Sequence, residues 1–177
     1  GSLGGGLIMN AGAHGGELKE AVRRVGLVLD EKSLAWGAAQ CGFAYRHSHF
    51  KDFASGRLVL TWAELELEPA PVAELKARMD EVLNKRKASQ PLELPNAGCV
   101  FKNPEQGSAG RMIEECGLKG LQRGGAQISP LHANFVVNLG GAKAADILGL
   151  MAEAKAAVKE RFGVELREEV LVLGEDA

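Results

Sequence analysis

The chain has 177 residues, 21 Lys and Arg against 23 Asp and Glu, 46% hydrophobic and 25% charged residues. This is the composition of an ordinary globular protein, without the basic excess that a nucleic-acid partner would call for. Glu, Lys or Arg interrupts every apolar run longer than a strand, well short of the ~18 residues needed to cross a bilayer, so no membrane insertion is expected. Three widely spaced cysteines, Cys41, Cys99 and Cys116, form no C-x-x-C pair. They argue against a disulfide framework or a structural zinc site and for a reducing compartment. No signal-peptide pattern is present, and a first residue of Gly1 inside a glycine cluster leads us to expect a segment upstream.

Taken in chain order, the first 16 residues, GSLGGGLIMNAGAHGG, hold seven of the 23 glycines. So many glycines weaken helix and strand alike and predict a loop that exposes its backbone. A short helix is expected over 17–24, then a strand at 25–29 with a turn after it. The run from Arg57 through LVLTWAELELE reads as a strand that Pro69-Ala70-Pro71 stops, and this proline pair is the best boundary in the chain. Beyond it Val72, Leu75, Met79, Val82 and Leu83 recur at helical spacing, predicting an amphipathic helix to about Lys87. A short strand follows at 98–101, a short helix at 112–116 ended by Gly117, and a buried strand at 135–138. The clearest element is a helix over 144–162 with Gly163 as its stop, and a last strand is expected over 164–173. The fold class expected is α+β rather than a regular βαβ series.

Several stretches could carry chemistry. The glycine-rich start could present backbone N–H groups to an anion, although it lacks the spacing of a phosphate-binding loop. Tyr45-Arg46-His47-Ser48-His49-Phe50-Lys51 gathers donors and aromatics, and an Arg there could clamp a carboxylate or phosphate through two parallel N–H bonds. His47 and His49 have no carboxylate or Cys at ligand spacing, so no metal site is predicted. Cys99, followed by Lys102 and Asn103, is either a thiol with a nucleophilic or proton-donating role or a small buried hydrophobe. Gln127, His132 and Asn134 precede an apolar strand, where they either converge on a pocket or satisfy their own turns. Glu168-Glu169 stands before an apolar run, which turns one of the two inward.

Six stretches in this order, GSLGGGLIMNAGAHGGEL, CGFAYRHSHFK, RKASQPLELPNAGCVFKNP, AGRMIEECGLKG, GGAQISPLHANFVVN and FGVELREEVLVLG, resemble the UDP-N-acetylenolpyruvoylglucosamine reductase (MurB) family. The resemblance covers essentially the whole chain but only part of the family's length. It implies the C-terminal part of an FAD-binding domain of the vanillyl-alcohol-oxidase/PCMH type over 1–70, joined to a complete α+β substrate-binding domain over 71–177. It also implies a bacterial cytoplasmic enzyme in which NADPH reduces FAD and the flavin passes hydride to the enolpyruvyl group of UDP-N-acetylglucosamine enolpyruvate. By motif, Arg46 matches the catalytic arginine, Glu169 the acidic residue of the last strand, and Cys99 the position of the proton donor, a serine or in some members a cysteine. Gly1, Ser2, Asn10, Gly12, Ala13 and Gly15 match the flavin-binding stretch. Tyr45, Lys87, Lys102, Asn103, Gln127 and His132 match substrate-site positions, Lys87 more loosely than the others. The 45–96 spacing leaves no room for the extra substrate loop of one branch, so the resemblance is to the shorter branch. The competing reading is a noncatalytic module that binds a nucleotide sugar without flavin chemistry.

Overall fold

The computed structural model describes residues 1–13, 15–53 and 56–174. The chain packs as two compact units, Gly1–Ala77 and Arg78–Ala177.

The first unit opens with a helix, α1 (Leu3–Met9), where the glycines predicted only loop. Each glycine costs a helix roughly 1 kcal/mol relative to Ala, and three features offset this. Ser2 caps the first turn by accepting from the Gly5 N–H at 3.1 Å, Asn10 closes the last turn in the left-handed region (φ 44°), and Leu7 is buried. A small antiparallel ladder follows, β1 (Gly12–Ala13) on β2 (Gly16–Glu17). A Cβ at Gly12 would stand 2.8 Å from the Gly16 carbonyl oxygen, so only glycine permits this approach.

The expected helix over 17–24 is a single 3-10 turn, Leu18–Glu20, because Val22 already belongs to a strand. That strand, β3 (Val22–Leu29), is the centre of an antiparallel sheet ordered β4-β3-β5, with β4 (Lys32–Gly37) and β5 (Leu58–Leu65) at its sides. Asp30 and Glu31 join β3 to β4 with φ of 47° and 66°, the signature of a two-residue hairpin loop. Arg57 holds that loop from the start of β5, donating from Nε to Asp30 Oδ1 at 2.8 Å. Val22, Val25, Leu27, Leu7, Cys41 and Phe50 form the core, with Trp36 stacked on Phe50 at 5.5 Å.

Helix α2 (Val72–Ser89) forms as predicted in length, but none of its residues is buried: Val72 is 81% and Met79 71% exposed. The apolar stripe read from its spacing therefore lies on the surface.

In the second unit β6 (Asn96–Cys99), α3 (Ala109–Glu115), β7 (Gln122–Arg123), β8 (Ala126–Ile128), β9 (Phe135–Asn138) and α4 (Ala144–Phe162) follow in order. The sheet is antiparallel throughout, ordered β6-β9-β8-β7. Helix α4 begins with the Asp146 carboxylate accepting from the Lys143 N–H at 2.9 Å and ends at Gly163 with φ 68°. Its stripe of Leu150, Met151, Ala154 and Val158 packs with Ile113, Ile128 and Val136. Burying each large side chain of this stripe stabilises the unit by roughly 1.5–3 kcal/mol.

The expected last strand over 164–173 does not form as such. Among the described residues its β-pairing is one isolated bridge, Phe101 to Glu168, flanked by the Lys102 N–H to the Arg167 carbonyl and the Glu169 N–H to the Val100 carbonyl, both 2.8 Å, while Val164 and Leu166 are buried in the core. Beyond it Leu171, Val172 and Leu173 lie on the surface.

Candidate functional site

Two clusters, one in each unit, contain most of the residues singled out by sequence. In the first unit the loop 44–47 closes on itself, the Ala44 and His47 N–H groups each donating to the other's carbonyl at 3.0 and 3.1 Å. Arg46 sits at its tip in the left-handed region (φ 52°), an uncommon conformation for a residue with a Cβ. Three contacts hold it and a fourth holds the loop beside it. Arg46 Nη2 donates to the Gly12 carbonyl at 3.2 Å, its guanidinium lies 5.1 Å over the Tyr45 ring, Lys51 Nζ donates to the Arg46 carbonyl at 3.2 Å, and buried Ser48 donates from Oγ to the Ile8 carbonyl at 2.7 Å.

Asn10 ties this loop to the glycine stretch. Fully buried, it donates from Nδ2 to Glu17 Oε2 and to the Ala44 carbonyl, and its Oδ1 accepts from the Lys19 N–H, each at 3.0 Å. Glu17 pairs with Lys19 at 2.7 Å. That bond is the largest influence holding the Glu17 carboxyl below its ordinary pKa; the Asn10 bond and the charges of Lys19 and Arg46 act the same way, against a partial desolvation. The structure thus brings together Asn10, Gly12, Tyr45 and Arg46. Ser2 caps α1, Ala13 lies in β1, Gly15 turns between β1 and β2 with φ 89°, and Gly1 is exposed at the chain start.

In the second unit the stretch 99–103 carries Cys99, Lys102 and Asn103. Cys99 is a half-buried thiol opposite Phe135, at the end of a strand that Gly98 (φ 83°) and a register irregularity bend. Asn103 accepts at Oδ1 from the Ala109 N–H at 3.0 Å, fixing the start of α3. Glu169 is half-buried, and its N–H bond to Val100 sets it beside the residue that follows Cys99. Its neighbour Glu168 turns to Lys155 at 2.7 Å, and that bond is the main reason its carboxyl is held below the ordinary range.

Gln127 donates from Nε2 to the Gly120 carbonyl at 3.1 Å. His132 packs edge-on against Phe135 at 4.9 Å and accepts at Nδ1 from the Asn134 N–H at 3.2 Å. Burial pushes its pKa down, so the neutral form carries its proton on Nε2. Lys87 stands apart, exposed on α2.

Sequence reasoning gave no role to Glu17, Ser48 or Lys51, and for Asn134 it left open whether the side chain serves a pocket or its own turn. Ser48 and Asn134 have a readable signal, a small polar residue inside an otherwise apolar or aromatic motif; Glu17 and Lys51 bond in part to near neighbours, Lys19 and the Arg46 carbonyl, but nothing in the sequence sets those pairings apart from other surface charges.

Residues 90–173 match the family described as UDP-N-acetylenolpyruvoylglucosamine reductase, C-terminal domain. The chain is 46% identical over 176 residues to the UDP-N-acetylenolpyruvoylglucosamine reductase of Carboxydothermus hydrogenoformans, covering 99% of this chain and 57% of that one. The chain corresponds to the C-terminal part of a UDP-N-acetylenolpyruvoylglucosamine reductase. The reductase of Synechococcus elongatus is 42% identical, with coverage of 99% and 58%. The crystal structure of the MurB reductase from Thermus caldophilus superposes with a TM-score of 0.80 at 41% identity, covering 94% of this chain and 58% of that one. The chain therefore spans somewhat under three fifths of the length of these MurB relatives.

Proposed function

We propose that the protein reduces UDP-N-acetylglucosamine enolpyruvate to UDP-N-acetylmuramate, a step of peptidoglycan precursor synthesis in the bacterial cytoplasm, using FAD and NADPH. The observation that carries this reading is the juxtaposition in the second unit of a half-buried thiol, Cys99, and a half-buried carboxyl, Glu169, through the bond from the Glu169 N–H to the Val100 carbonyl.

The residues of the first unit fit a flavin in one respect. Among the described residues, nothing beyond the adjacent chain lies within 4 Å of where a Cβ would stand at Gly1, Gly4 and Gly15, so a flat ring or a diphosphate can approach the main chain there. On this reading Gly1, Ser2, Asn10, Gly12, Ala13 and Gly15 form this chain's share of an FAD-binding domain, Asn10 through the backbone it fixes. When bound, the flavin supplies hydride to the methylene carbon of the enolpyruvyl group.

Hydride addition leaves negative charge spread from C2 into the substrate carboxylate, and placed donors stabilise such charge. Arg46 supplies a guanidinium whose fork matches a carboxylate. Glu169 adds a carboxyl held beside the residue that follows Cys99. Cys99 then gives its thiol proton to C2, completing the reduction. A thiol is a stronger acid than a serine hydroxyl yet mostly protonated at neutral pH, as a general acid must be. Tyr45, Lys87, Lys102, Asn103, Gln127 and His132 contact the UDP-sugar, His132 as a neutral Nε2–H donor.

FAD titration followed by NADPH oxidation in the presence of the enolpyruvyl UDP-sugar tests the reading. The protein at the full length of its relatives is expected to oxidise NADPH only when that substrate is added. Flavin-bound protein that leaves the sugar unreduced would sink the proposal.

A further inference from the structure

One buried polar side chain in the second unit has no part in the chemistry above and makes more bonds than any turn requires. Asn134 is 2% exposed and lies just before β9. Its Oδ1 accepts from the Phe101 N–H at 2.9 Å and its Nδ2 donates to the Phe101 carbonyl at 2.8 Å. Its own carbonyl accepts from the Val100 N–H at 2.8 Å, and its own N–H donates to His132 Nδ1 at 3.2 Å. Three of these four bonds hold one side of the two-residue step, Val100 and Phe101, between Cys99 and Lys102.

The other side of that step is where the 167–170 segment attaches, through Val100 and Lys102. That segment makes a single bridge with the sheet, so Phe101 is the hinge on which Glu169 is placed relative to Cys99. Phe101 cannot use an ordinary ladder partner here, because the β6–β9 pairing breaks register between Asn96 and Cys99 and ends at Phe135. A side-chain amide, which offers an acceptor and a donor in one plane, stands in for the missing strand residue.

We infer that Asn134 is a positioning residue: its amide mimics a β-ladder partner for Phe101 and thereby sets the Cys99 thiol and the Glu169 carboxyl in register with each other. The inference rests on the roles proposed for those two residues. It predicts that an amide isostere with the same donor and acceptor restores function and that a merely space-filling side chain does not. A protonated carboxylic acid is such an isostere, whereas a carboxylate would turn a negative oxygen on the Phe101 carbonyl.

The test compares Asn134→Asp and Asn134→Ala with wild type between pH 5.5 and 8, in FAD-loaded protein of the full relatives' length. Burial and the facing Phe101 carbonyl raise the pKa of an Asp at this position. The kcat of Asn134→Asp relative to wild type should accordingly rise at least tenfold as pH falls, while the ratio for Asn134→Ala stays low and flat. The charged groups that face Asn134 or its neighbours are His132, which touches it, Lys119 and Glu114, whose charges act on His132, and Lys102, Arg167 and the Lys155–Glu168 pair on the neighbouring segments; all of them are present in Asn134→Ala as well, so its ratio is the control for them. Hydrogen exchange gives a readout independent of activity. The Phe101 amide should be strongly protected in wild type, lose protection in Asn134→Asp at pH 8, and regain it at pH 5.5.

A flat ratio for folded Asn134→Asp, or wild-type kcat in Asn134→Ala, would overturn the inference. If neither variant folds, the wild-type measurement still decides, since fast exchange at the Phe101 amide would also overturn it. Wild-type protein that exchanges as expected but leaves the enolpyruvyl sugar unreduced would instead overturn the functional reading and leave the Asn134 staple standing.

Discussion

Around Arg46 the backbone is held by two buried neutral side chains, Asn10 and Ser48, together with groups that carry charge, Glu17, Lys19, Lys51 and the arginine itself, at partly exposed positions. Around Cys99 and Glu169 it is held by the neutral amide of Asn134, sealed from water. Charged groups near the surface are screened by salt and change state with pH. A neutral buried amide does neither, but its loss leaves its partners without any alternative. The Arg46 cluster thus has an adjustable, charged part that the Asn134 bonds around Cys99 lack.

The sharpest way to break the comparison is Asn134→Ala. It strips partners from the buried Phe101 N–H and carbonyl, at a cost of ~1–3 kcal/mol each. Urea denaturation should show the second unit destabilised by about 3–5 kcal/mol; a loss under ~1 kcal/mol would mean that water or backbone replaces the amide. Asn10→Ala is next. It removes three bonds and puts a Cβ without a local hydrogen bond into the left-handed region, and about 2–3 kcal/mol should be lost from the first unit with the second unmoved.

The third prediction concerns pH. Burial lowers the pKa of His132 below its ordinary 6.5. The unfolded chain therefore binds a proton that the folded one refuses, and stability present above that value falls as pH drops through it. Melting temperature against pH should show this slope below about pH 6.5 in wild type and a flatter line in His132→Gln. The smallest effect is expected from Glu17. Its lowered pKa contributes stability that is present above the ordinary carboxylate value and is lost as pH falls through the folded one. Glu17→Gln should remove that acid-side slope, and added salt should blunt it in wild type.

Two helices of almost equal length show how far the sequence could be read. Both α2 and α4 carry apolar residues at helical spacing, and both form. In α4 the stripe, with the small Ala154 in it, packs on the sheet, so spacing predicted burial as well as helix. In α2 the same spacing predicted the helix and not the environment: Arg78, Lys85, Arg86 and Lys87 share it with a stripe left in water. Local pattern determines backbone conformation, while burial depends on what else reaches that face.

The other differences have similar causes. Helix α1 forms against its glycines because two caps and Leu7 outweigh propensity. Strand β4 was invisible because Asp30 and Glu31 make a hairpin turn usually built from Asn and Gly. The last strand reduces to one bridge, its register spent on charged residues. At the site, motif matches pointed to Cys99, Arg46 and Glu169. They could not show that Asn10 and Asn134 hold the surrounding backbone, because those bonds span 34 and 33 residues of chain.

The central claim is that Cys99 delivers the proton that completes reduction of the enolpyruvyl sugar. Its most direct test is Cys99→Ala in the FAD-loaded protein of full relatives' length, with NADPH oxidation followed alongside formation of the reduced sugar. Turnover is predicted to fall by at least about a hundredfold, the usual scale for losing a general acid, with the rate of flavin reduction by NADPH unchanged and partial recovery in Cys99→Ser. Normal turnover in Cys99→Ala would contradict the claim.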